Sequence, residues 1–183
     1  MDLAEVYSQA MEYLTLARLG PRLEQEELQS LTRMKLLDTV DMYVQQSAFA
    51  SFEHRVYALG AEKLSAEVLS DLARETAREY GFYDADYDAF YSLSWFDIPH
   101  YFEQPFYIVS YPISNDLAMQ IYELERETPG AGRDCYLDNL EHAFTGLMGL
   151  VDASGLESPF APGRVEKIAA TLESALGIEG PGL

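Results

Sequence analysis

The sequence predicts an all-α protein. Apolar residues recur at three- and four-residue intervals along most of its 183 residues, the signature of helices with one buried face. Alternating strand patterns and two-residue hairpin turns are missing. Glycine and proline cluster at a few places only, which leaves stretches longer than the usual three helical turns. The expected architecture is an elongated multi-helix bundle, with residues 1–183 forming a single all-α domain.

The elements follow in chain order. Leu3, Val6, Ala10, Tyr13 (or Leu14) and Ala17 share a helical face, and Gly20-Pro21 stops that helix. From residue 23 to 59 runs a second pattern: Leu28, Leu31, Leu37, Val40, Val44, Ala48, Phe52, Val56 and Leu59. It reads as one very long helix, or two in line, with Gly60 at the C′ position. Ser65 is an N-cap for a third helix with Val68, Leu69, Leu72, Thr76 and Tyr80 as its apolar stripe, ended by Gly81. Residues 82–104 are aromatic and less periodic. A fourth helical stretch covers 104–126, with Pro105 in its first turn and Pro112 as a kink. A fifth spans 136–150 and a sixth 164–176, the last preceded by the loop of residues 158–163.

Composition excludes several classes of function. The chain carries 31 acidic against 12 basic side chains, a formal charge of −19, which disfavours nucleic acid and anionic membrane surfaces as partners. With 48% hydrophobic and 13% aromatic residues, the chain is not a solvated tail. No apolar run approaches the roughly 20 residues of a membrane span. Cys135 is the only cysteine and the N-terminal residues show no signal-peptide pattern, so a cytoplasmic location is expected.

Local motifs mostly fail on inspection. Asp84, Asp86 and Asp88 open like a calcium loop, but Ala89 replaces the glycine and Trp95 the bidentate glutamate. Gly130-Ala-Gly132 precedes no Gly-Lys-Ser and reads as a turn. His54, His100 and His142 form no His-x-x-x-His pair, so no metal site is local in sequence. Cys135, in an apolar helical pattern, reads as packing. Glu5, Ser8, Gln9 and Glu12 share one face of the first helix, which by spacing alone is a solvated stripe.

The segment from Tyr80 to Tyr111 is denser in chemistry. It holds 13 aromatic residues, seven of them tyrosines, around His100. Such a run serves either as core or as a set of donors around one histidine, able to stabilise a developing oxyanion.

Four segments together resemble a known family. Glu5-Val-Tyr-Ser-Gln-Ala-Met-Glu12 is similar to the helix after the HExxH helix in the oligoendopeptidase F and thimet oligopeptidase family of zinc metallopeptidases. Phe49-Ala-Ser-Phe-Glu53-His-Arg resembles that family's Phe-Ala-Glu-Phe-Glu segment. Ile98-Pro-His100, Pro105-Phe-Tyr107 and Tyr111 are similar to its histidine-and-tyrosine substrate loop, and Gly155-Leu-Glu-Ser-Pro-Phe160 to its C-terminus. The resemblance implies a zinc-ligating role for Glu5 and a role for Glu12 in orienting a ligating histidine. It implies that His100, Tyr107 and Tyr111 meet the substrate or its tetrahedral intermediate, although the spacing from His100 to Tyr111 differs slightly from the thimet branch.

The HExxH helix itself has no counterpart within the 183 residues. The resemblance therefore implies the C-terminal portion of a catalytic domain that hydrolyses short peptides. This chain alone is expected to be inactive, to bind zinc weakly or not at all, and to partner an N-terminal half or itself. Two other readings stand beside it: a non-catalytic peptide-binding module, and an assembly protein in which the former site is only core.

Overall fold

The computed structural model describes residues 4–142 and 145–178. Among these residues the secondary structure is helical, with no strand. The elements are α1 (Ala4–Leu19), α2 (Gln25–Ala58), α3 (Ala66–Glu79), α4 (Asp88–Leu93), α5 (His100–Glu103), α6 (Ser110–Glu127), α7 (Ala131–Glu141), α8 (Gly146–Ser154) and α9 (Arg164–Leu176). No described helix is long and apolar enough to cross a membrane. The chain divides into two compact units. One comprises the residues up to Val40 and from Ile113 onward, and the other is Asp41–Pro112.

In the first unit, α1 buries Val6, Ala10 and Tyr13, as its periodicity predicts, and at its end buries Leu16 rather than the expected Ala17, which is only half-buried; Leu3 lies outside the described residues. The Tyr13 hydroxyl meets Thr39 Oγ1 at 2.6 Å and donates to Asn115 Oδ1 at 3.1 Å. Burial pushes its pKa up to about 12. Tyr7 donates to the Asn139 carbonyl at 2.8 Å and sets its ring edge-on to Tyr136, which fastens α1 to α7. The buried Arg164–Asp116 pair joins α9 to α6: Nε lies 2.7 Å from Oδ1 and 3.0 Å from Oδ2, and Nη2 also donates to Oδ1.

The 34-residue α2 is a single helix, because no glycine or proline interrupts it. Its buried face near the start differs from the expected one. Leu31 and Leu37 are exposed, while Leu36 and Thr39 are buried, since Thr39 is drawn in by its bond to Tyr13. Gly60 is not a left-handed C′ residue. It is extended, at φ −72°, and its carbonyl accepts from Lys63 N to open the turn Ala61–Lys63.

In the second unit, Ser65 caps α3 by accepting from Val68 N at 3.3 Å. Gly81, at φ +79°, closes it, with Phe82 N bonding to the Ala77 carbonyl and Gly81 N to that of Arg78. The buried face of α3 is Ala73, Thr76 and Ala77 rather than Val68, which is exposed; small residues let this face pack closely. The unperiodic aromatic segment folds as short helical turns.

Two expected helix boundaries are corrected. α6 begins at Ser110, so Pro105 precedes it, and Pro112 sits in its first turn, where a missing N–H costs no intrahelical bond. The stretch expected at 136–150 is two helices, α7 and α8. α7 starts earlier because Glu125 caps it: its carboxylate accepts from Gly130 N and Arg133 N, both at 3.0 Å. Gly130 is left-handed, at φ +95°, and forms the turn its glycines predict.

Candidate functional site

The second unit brings three of the sequence-predicted residues together. A chain of turns sets their backbone. Pro99 O accepts from Phe102 N and Glu103 N, closing the single turn of α5 that begins with His100. Tyr107 N then bonds to Gln104 O at 3.1 Å, and Tyr111 N to Ile108 O at 3.1 Å. Ile108 is buried, at 1% exposure, and anchors the stretch between the two tyrosines.

The rings of His100 and Tyr107 stack in parallel, 5.5 Å apart with 7° between planes. Tyr111 stands edge-on to both, 6.0 Å from His100 and 5.5 Å from Tyr107. All three are half-buried. The arrangement gathers one imidazole and two phenols, which together offer N–H and O–H donors and a polarisable face.

A buried carboxylate holds this segment in place. Glu53 on α2 is 2% exposed, and its Oε1 accepts from Phe106 N at 2.8 Å. Phe106 has φ +62°, a conformation that costs a non-glycine residue about 1–2 kcal/mol. The charged acceptor and the Tyr57 ring, 4.7 Å from that of Phe106, hold it there one residue before Tyr107. On the other side of α5, the Tyr101 hydroxyl donates to the Phe49 carbonyl at 3.0 Å, and its ring packs 5.2 Å from Phe52. Burial first, and the Glu53 charge second, push the Tyr101 phenol far above its ordinary pKa, so it remains a neutral donor. The resemblance quotes Glu53 but gives it no role. A lone acid among Phe49, Phe52 and Tyr57 on an otherwise apolar helical face was the available signal.

The remaining predicted residues belong to the first unit. Glu5 is half-buried, and Ser8 Oγ lies 3.1 Å from its Oε2. Glu12 is exposed, and its carboxylate pairs with Lys35 Nζ at 2.5 Å; that ammonium also lies 4.6 Å above the Tyr13 ring. The stripe they share is not wholly solvated, because Gln9 is buried. Cys135 is half-buried, and desolvation raises its thiol pKa, consistent with a packing role. No family model, curated protein or solved structure compared with the chain matches it.

Proposed function

We propose that the chain is a portion of a zinc-dependent oligoendopeptidase-type catalytic domain, and that His100, Tyr107 and Tyr111 are its contact with the peptide carbonyl. The supporting observation is the mutual contact of these three rings. A peptide amide under attack places negative charge on its oxygen, and donors aimed at that oxygen are each worth about 10²–10³ in rate. The same donors bind the neutral carbonyl only modestly, so the chain takes short, unstructured peptides weakly and orients them.

The metal part of the reading rests on Glu5, with Glu12 as its orienting partner. A catalytic zinc takes three protein ligands. Among the described residues no three His, Cys, Asp or Glu side chains gather, so these residues do not fit the ion by themselves. Lys35 also occupies the Glu12 carboxylate. No hydrolytic step is therefore assigned to this chain, whose own part is to bind and orient the peptide.

A second reading, a non-catalytic peptide-binding or assembly module of the same descent, is favoured by exposed aromatic surface in the second unit: Phe90, Phe96 and Phe102 are more than 60% exposed. The test is a titration of a labelled, unstructured octapeptide by fluorescence anisotropy, followed by mixing with an HExxH-bearing N-terminal half. Saturable binding weakened by His100→Ala supports the shared site, and chelator-sensitive cleavage on mixing selects the peptidase. Binding indifferent to His100→Ala would remove both readings.

A further inference from the structure

We propose that the first unit carries a second, separate binding site for a flat organic anion, in the cleft between α2, α6 and α9. The cleft has a volume of about 480 Å³, within the range of about 300–1,000 Å³ of small-molecule pockets. Tyr122 contributes aromatic surface to it, backed by the fully buried Tyr13 ring 5.3 Å away at 25°. The Tyr13 hydroxyl is engaged with Thr39 and Asn115, which fixes its ring behind Tyr122.

Two guanidinium groups line the same cleft. Arg33 of α2 donates from Nη1 to the Leu176 carbonyl at 3.3 Å, which leaves its other N–H groups for a ligand. Arg126 of α6 lies 5.8 Å from the Tyr122 centroid, within cation–π reach. Neither forms an ion pair with a described carboxylate, although acidic residues outnumber basic ones 31 to 12. Two such guanidinium groups at one cleft concentrate positive potential in a chain whose net charge otherwise repels anions. Arginine binds carboxylates through paired N–H groups and stacks on aromatic rings. An aromatic carboxylate satisfies both features, its ring against Tyr122 and its anion on Arg33 and Arg126. Glu123 also lines the cleft; its charge opposes the ligand and favours a monoanion over a dianion.

The experiment uses the full chain and 2-naphthoate, with 2-naphthylmethanol and acetate as probes lacking the charge and the ring. Calorimetry and ligand-observed NMR should show one saturable site for naphthoate, at least tenfold tighter than for either control and weakening with salt. Arg33→Gln and Arg126→Gln should each weaken it at least fivefold, Glu123→Gln should tighten it, and Arg22→Gln, outside the cleft, should leave it unchanged. Absence of saturation at millimolar naphthoate would overturn the proposal. So would equal binding of the neutral analogue, or an equal loss in the Arg22 variant.

Discussion

Replacing Glu53 by leucine should disturb the His100–Tyr107–Tyr111 cluster far more than it disturbs stability. The carboxylate accepts from Phe106 N at 2.8 Å, and a bond to a charged group contributes about 1.5–3 kcal/mol. Phe106 is held at φ +62°, and release from that region recovers about 1–2 kcal/mol. The two terms oppose, for a net loss of about 1 kcal/mol, reached by letting the backbone before Tyr107 relax. A urea midpoint with unchanged slope should therefore move little, while the inter-ring NOEs between His100 and Tyr107, and between Tyr107 and Tyr111, should disappear. Glu53→Gln keeps an acceptor oxygen in the same place and should retain both sets of NOEs. The reasoning is refuted if Glu53→Leu preserves the ring contacts.

Three further outcomes follow from the packing and the charges. Asp116→Asn or Arg164→Met leaves one buried partner of their pair behind and should cost about 3–5 kcal/mol in urea unfolding, whereas Asp116→Leu with Arg164→Met should cost less than either alone. Gly132→Ala should destabilise by about 1–3 kcal/mol, because its Cβ would lie 2.2 Å from the Ile121 carbonyl and 2.9 Å from Glu125 N, backbone atoms that cannot swing away; a neutral substitution would show that α6 and α7 are not so close. Lys167 first, and Arg164 beside it, hold the Glu157 carboxyl below its ordinary pKa of 4.5. Its contribution is full above that value and is lost as pH falls through the lower folded one, so Lys167→Met should flatten the acid limb of a stability-versus-pH profile and leave the region above pH ~5.5 unchanged in shape.

The helices were legible where the information is local. Ser65 and Gly81 bound α3 by capping chemistry that needs only neighbours, and α2 is long because its own residues contain no breaker. The start of α6, the division of α7 from α8 and the course of residues 82–109 were not legible. They depend on bonds from distant side chains: Glu125 to the first turn of α7, Glu53 to Phe106 N, Tyr101 to the Phe49 carbonyl. The Asp116–Arg164 pair is 48 residues apart in sequence, and no periodicity announces it. At the candidate site, His100, Tyr107 and Tyr111 were named from their segment. Their contact arises from turns rather than from one helix, and the positive φ that shapes it sits on a phenylalanine, which carries no turn signal.

The most direct test of the proposed role compares a short peptide with its phosphinic analogue, in which a tetrahedral anion replaces the scissile amide. If His100, Tyr107 and Tyr111 are arranged for the charged tetrahedral oxygen, the full chain binds the analogue at least tenfold tighter than the parent peptide. His100→Ala and Tyr111→Phe then abolish that preference, weakening the analogue far more than they weaken the parent peptide. Equal affinity for the two ligands, or a preference that survives both substitutions, would contradict the assignment.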